Sequence, residues 1–493
     1  MIKSPAIEII KTFSKDEFKR FAEFAESPYF NKNSNLLKAV KYFKKISPEF
    51  SEDDLTDEMI WTTVFGKKDF NYGVMKNLTL DLRKLTDKFT SIELYSADDL
   101  HIDFNILQYA KYKSLPETFG KLFAKTMKKH DEREITFDNY LYRYKSMDIE
   151  RTFKVYFGKI SSREKLSGAE CMDQLTFYFF SSYFYNSYCL IVDSYVFNIN
   201  SDFAGIRIYT DVYRKHLYGK NLLSDIFFNA VMMFLEKDSF GYFQELQELF
   251  YKNFSKLHND ISYNIGAILT TYLVLSKPAP GKNYLQEEFD ILYFLFRNNI
   301  LKHSSHQYLD SNLFSKFADY CVVLNKPELC EELINKFKNQ LNPVNREIRI
   351  QIAESHLQNH LKNYDKALEI ISKSNPTSCD EKLKIRGIEL IVNFNMKNYE
   401  TVYNLIRNFS SFIKYEKTLN TMLRDVFANF LNYLKKLTDM NTNHYDSFKK
   451  EKELSLMLSK LSTEKTANRK WLMSVMNGMN EKSKLNSSKR KRT

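Results

Sequence analysis

Glycine and proline are scarce. Twelve glycines and nine prolines in 493 residues fall far below their combined share of about 12% in average proteins, so the usual breakers of helices are nearly missing. That scarcity argues for helix throughout. Cysteine is also sparse: five residues, an odd number with no Cys-x-x-Cys spacing, which excludes a disulfide framework and implies small buried thiols in a reducing compartment. The first residues, "MIKSPAIEIIKTFSKDEF", lack the uninterrupted apolar core of a secretory leader. A cytoplasmic location is the expectation.

Long apolar runs are rare too, with one stretch to examine. "DQLTFYFFSSYFYNSYCLIVD", Asp173 to Asp193, holds no charge between its aspartates. A membrane-spanning helix needs about 20 predominantly apolar residues. On a helical wheel Phe177, Phe180, Phe184, Tyr188, Ile191, Val192 and Tyr195 share one half, while Ser182, Asn186, Ser187, Asp193 and Ser194 take most of the other. Phe179, Tyr183 and Leu190 interrupt the polar arc. Serines and tyrosine hydroxyls facing lipid would have no partners. The stretch therefore reads as a helix buried among protein neighbours, and no membrane partner is expected.

The formal charge of +12 raises the question of nucleic acid. Its location weakens the case. Residues 481–493, "EKSKLNSSKRKRT", carry six basic groups against one acid, and residues 1–100 hold sixteen Lys and Arg against seventeen Asp and Glu. The body is close to balanced, and the terminal run reads as a basic disordered tail.

A repeat is visible late in the chain. "RIQIAESHLQNHLKNYDKALEIISK" from Arg349 aligns with "KIRGIELIVNFNMKNYETVYNLIRN" from Lys384 at a constant offset of 35 residues. Ile350, Glu354, Lys362, Asn363, Tyr364 and Ile371 recur as Ile385, Glu389, Lys397, Asn398, Tyr399 and Ile406. Each copy is a helix, a short turn at Lys-Asn-Tyr, and a second helix. Such a pair cannot bury its apolar faces alone and must stack on neighbours.

In the second half of each unit, Tyr364 is followed by Ala367 and Ile371, and Tyr399 by Val402 and Ile406. On these residues the chain resembles tetratricopeptide repeats, whose unit is a helix pair of about 34 residues. The family's early Trp and Leu are absent, so no ligand-clamp residues are carried over. Looser pairs precede: Leu222 to Leu235 with Tyr242 to Phe254, Ile261 to Leu275 with Leu285 to Asn298, and Leu309 to Leu324 with Glu328 to Lys338. The resemblance implies an all-α superhelix of stacked pairs. The expected division is an N-terminal helical domain over 1–95, a helical region over 96–205, repeats over 206–440, C-terminal helices over 441–480 and the tail over 481–493.

The first 95 residues differ in pattern. Ser14 with Glu17 forms a capping box that opens "KDEFKRFAEFAE". Helices follow over Asn35 to Ile46 and Asp57 to Phe65, then one in which Met75, Leu78, Leu82, Leu85 and Phe89 form an apolar stripe. Its other face carries Arg83, Lys84 and Lys88. This order faintly resembles the helix-turn-helix of bacterial regulators that also carry tetratricopeptide-like repeats, although the connector from Gly66 to Tyr72 exceeds the usual turn of about 3 to 4 residues.

Catalytic patterns are missing. Gly-Lys occurs at Gly66, Gly120, Gly158, Gly219 and Gly281, never with a glycine five residues earlier, which excludes a phosphate-cradling loop. His356 and His360 lie four apart without a third ligand at fixed spacing, and Leu357 and Leu361 mark the buried side, so both histidines read as surface residues. Cys321 and Cys330 read as core. No enzyme, cofactor or metal site is expected. The expected function is a protein–protein scaffold that holds a peptide or helix of another protein on the first helices of each pair, through His356, Asn359, His360, Lys384 and Asn395. The alternative is a nucleic-acid-binding regulator using Arg83, Lys84 and Lys88 or the tail.

Overall fold

The computed structural model describes residues 4–157, 168–197, 199, 201–237, 239–276, 284–419, 421–442 and 447–490. Among them are 23 α-helices, two short 3-10 turns and no strand. The chain divides into two compact units, Met1–Ser182 and Tyr183–Thr493, with the division inside one helix.

The first unit begins with α1 (Pro5–Lys11), α2 (Lys15–Glu26), α3 (Ser34–Ile46), α4 (Asp57–Phe65) and α5 (Tyr72–Ser96). Ser14 and Glu17 exchange both bonds of the capping box, and Thr56 and Asn71 cap α4 and α5. The stripe from Met75 to Phe89 is buried against α1, α2 and α3, where Phe13, Phe21 and Phe89 meet edge to face or tilted. A separate small core around Leu107, Phe119 and Phe153 joins α6 (Asp99–Tyr112), α7 (Pro116–Glu132) and α8 (Phe137–Tyr156). Within it His130, 2% exposed, sets Nδ1 2.5 Å from Asn139 Oδ1.

The aromatic stretch lies in α9 (Gly168–Phe197). Among the described residues no helix is long and apolar enough to cross a membrane. Phe177 meets Tyr140 of α8 in the first unit. In the second unit Phe184, Tyr185 and Tyr188 pack on Phe228, Phe227 and Phe234. Phe179 and Leu190, the interruptions of the polar arc, are exposed.

The partner of that packing is α11 (Leu222–Leu235), which follows α10 (Ala204–His216). Every residue from Leu223 to Met233 is buried. A helix apolar on all sides must be covered on all sides. Here α9, α10, α12 (Phe240–Asn253) and α13 (Asn259–Leu275) do so. Its buried Asp225 is held, accepting from the Tyr213 hydroxyl at 2.7 Å and from the Gly219 N–H at 3.0 Å.

The remaining helices are α14 (Tyr284–Arg297), α15 (Ser311–Val323), α16 (Pro327–Phe337), α17 (Arg346–His360), α18 (Tyr364–Lys373), α19 (Cys379–Asn395), α20 (Tyr399–Tyr415), α21 (Thr421–Thr442), α22 (Ser447–Thr463) and α23 (Arg469–Arg490). Each expected pair from Leu222 to Lys338 falls on a helix pair of the structure. Most of the connection at Ser276 to Asn283 lies outside the described residues. The helix α23 takes in part of the basic run of 481–493, whose side chains from 482 onward also lie outside them.

At its C-terminal end the chain folds back. The Ala467 N–H donates to the Val426 carbonyl at 3.1 Å, and Trp471 sets its ring 5.4 Å from Phe394 of α19 and 6.4 Å from Phe430 of α21. Asn468 stands against Gly387, where a Cβ would lie 3.4 Å from its amide nitrogen. The start of α23 thus covers part of α19 and α21.

Candidate interaction surfaces

Three successive pairs, α15/α16, α17/α18 and α19/α20, turn in the same way. Asn325, Lys362 and Lys397 have φ of 57°, 62° and 65°. The next N–H in each, that of Lys326, Asn363 and Asn398, donates back to Cys321, Gln358 and Asn393 at 2.8, 2.9 and 2.9 Å. This left-handed cap satisfies the last carbonyls and reverses the chain. First helices then pack on one another, α15 on α17 and α17 on α19, while Ala367, Ile371, Ile385 and Val392 fill the space between pairs.

The five expected partner-binding residues share the first helices, and each has a neighbour. Asn395 donates to Asn359 Oδ1 at 3.0 Å. His360 Nε2 is 2.9 Å from Asn325 Oδ1. His356 Nε2 is 3.7 Å from Asp319 Oδ1, with its side chain 21% exposed, and burial holds its pKa below the usual histidine value. Lys384 reaches Asp380 at 3.9 Å. Asn395 and His356 bridge adjacent first helices, His360 reaches the turn after α15, Lys384 pairs within α19, and all five are half-buried, where free surface residues were expected. Leu361 also differs from expectation: it is 41% exposed, because the helix ends there and the turn carries it off the buried stripe that Leu357 follows.

A second surface lies across α19. The end of α18, α19 and α20 enclose an open pocket of about 650 Å³. Ile385, Leu390 and Phe409 form its buried floor, with Leu405 and Phe412 at the side. The Arg386 guanidinium lies 4.5 Å from the Phe412 ring centre and 6.0 Å from that of Phe409. Lys382 and Glu389 add charge to the lining, with Ser372, Ser374, Asn408 and Ser411 as its neutral polar members. Burial pushes the Glu389 carboxyl up, with Arg386 opposing. The one sequence signal was a change at fixed offset: Arg386 and Lys382 align with Gln351 and Glu347.

In the first unit the three basic candidates separate. Lys84 and Lys88 line a cleft of about 430 Å³ with Lys32 and Asp81, whereas Arg83 is not among its lining residues. Arg83 pairs with Asp87 at 3.3 Å and Lys84 with Asp81 at 3.7 Å. The helix α4 packs on α3, and α5 packs on α1, α2 and α3.

Chemical machinery is thin. Among the described residues no group of three or more His, Cys, Asp or Glu could hold a metal ion. Cys321 and Cys330 are fully buried, and burial pushes the Cys330 thiol up to about 12, away from reactive thiolate. His303 is tied into a loop clamp, 3.8 Å from Asp260, which also accepts from the Ser304 N–H at 2.6 Å. Compared with models of protein families, with curated proteins and with solved structures, the chain has no match.

Proposed function

We propose that this chain is a non-enzymatic scaffold, a tetratricopeptide-like array that binds a segment of another protein. One observation carries the reading: successive helix pairs share one left-handed turn and stack first helix on first helix, leaving an open 650 Å³ groove between α18 and α20. An array of this kind presents long grooves, and recognition of an extended or helical segment uses apolar pockets with a few polar anchors. The polar stripe at His356, Asn359, His360, Lys384 and Asn395 is half-buried, and part of its hydrogen bonding joins α17 to its neighbours.

The competing reading, a nucleic-acid-binding regulator, draws support from the cleft at Lys32, Lys84 and Lys88. It is weakened by the acids beside Arg83 and Lys84. Affinity capture from native lysate, with and without nuclease, separates the two. The scaffold reading expects a protein partner that survives nuclease and truncation before Glu481, and that is weakened by Asn359→Ala with His360→Ala or by changes lining the groove. Recovery that vanishes with nuclease, or on neutralising Arg83, Lys84 and Lys88, and that falls steeply with salt, replaces it with the regulator reading.

A further inference from the structure

The groove between α18 and α20 has a charge pattern that selects its occupant. Among the described residues neither Arg386 nor Lys382 has a carboxylate within 4.0 Å. Other buried or half-buried cations of the second unit do: Arg349 meets Asp380 at 2.8 Å, Lys384 meets Asp380 at 3.9 Å, and Lys316 meets the buried Glu288. Arg386 instead lies 4.5 Å from the centre of the Phe412 ring and lines the groove. Directly beneath lies an apolar floor, Leu390 and Phe409 each 1% exposed. A planar guanidinium matches a carboxylate with two parallel hydrogen bonds. An adjacent apolar floor matches a side chain next to that carboxylate. The one acid of the lining, Glu389, sits three residues from Arg386 on the same helix and lowers the net positive charge without cancelling it.

Resting on the scaffold reading above, we propose that the groove binds an acidic, apolar-flanked peptide segment of the partner, with a Glu or Asp carboxylate on Arg386 and Lys382 and a Leu or Phe side chain against Leu405, Phe409 and Phe412. Arg386 sets the sign of the ligand, and the floor sets its size. Glu389 opposes the ligand, so its neutralisation tightens binding.

The test uses the full chain and fluorescence anisotropy. The probe is a labelled peptide alternating glutamate with leucine and phenylalanine, beside the same peptide with lysine for glutamate. The acidic peptide is expected to bind saturably and more weakly as salt rises, and the lysine peptide not to bind. Arg386→Ala is expected to weaken the acidic peptide about tenfold, since interface energy concentrates in a few anchors. Lys382→Glu is expected to weaken it in the same direction, and Glu389→Gln to tighten it, with circular dichroism showing that each variant folds. Equal binding of both peptides, no binding of either, or indifference to both Arg386→Ala and Lys382→Glu overturns the proposal. The scaffold reading fails separately, when lysate capture yields no nuclease-resistant protein. It stands while this inference falls when a captured partner ignores Arg386 and Lys382.

Discussion

Asn395 of α19 donates its side-chain N–H to the Asn359 carbonyl oxygen of α17 at 3.0 Å, one repeat away. The two amides tie together the last turns of stacked first helices, while His360 reaches back to Asn325 in the same manner. In a double-mutant cycle, Asn359→Ala and Asn395→Ala are expected to show a coupling of about 1 kcal/mol in urea unfolding, the usual net worth of one internal hydrogen bond. Strict additivity would mean that the bond does not hold the helices together.

Ala367 is fully buried among Ile348, Ile352, Ile371 and Ile388, where α18 meets the first helices. Ala367→Leu is expected to cost about 1 to 3 kcal/mol by overpacking. An unchanged melting temperature would show that the pairs are less tightly packed than the buried surface indicates.

Lys362 and Lys397 hold φ of 62° and 65°, a region costing a side-chain-bearing residue about 1 to 2 kcal/mol. Both follow the C-terminus of a first helix, the position where glycine is favoured. Lys362→Gly and Lys397→Gly are each expected to raise stability by some tenths to about 1 kcal/mol, measured by denaturant melts, because relief of the strain exceeds the extra flexibility of the unfolded chain.

Two histidines give the chain an acid-sensitive side. His130 is held below the usual histidine pKa chiefly by burial, with Arg143 and Arg133 pushing the same way and Asn139 and Asp103 opposing. His356 is lowered by burial first, with Lys384 in the same direction and Asp319 against. Both are neutral when folded, and the unfolded chain takes up their protons below about pH 6.5. Stability is therefore full above that value and declines as pH falls toward the lower folded pKa values. Glu17 and Glu381, held low by their capping hydrogen bonds, lose their contribution only at more acid pH. Urea melts between about pH 7 and pH 5.5 are expected to show falling stability, and the double change His130→Gln with His356→Gln to flatten the slope.

Helix positions were legible because their signals are local. Ser14 with Glu17 announces a capping box, and the structure begins a helix at the next residue; the expected starts at Asp57 and Leu222 coincide with helices that Thr56 and Asn221 cap. The 35-residue offset was readable for the same reason: it needs no knowledge of what touches what. The groove was not. Arg386 and Phe412 are 26 positions apart on different helices, and spacing on a wheel tells which face is buried without telling against what. The fold-back of α23 onto α19 and the bond between Asn359 and Asn395 were hidden in the same way. The turns at Lys-Asn-Tyr were readable as turns, but their left-handed backbone was not, because lysine rather than glycine stands at Lys362 and Lys397.

The burial of α11 also bears on how the protein is made. A ribosome releases Leu223 to Met233 before α12 and α13 exist to enclose them, so the nascent chain carries this helix covered only from the side of α9 and α10 until Leu275 has been added. A message cut short between Leu235 and Leu275 would strand the polypeptide in that state, and its fate would be degradation or inclusion bodies.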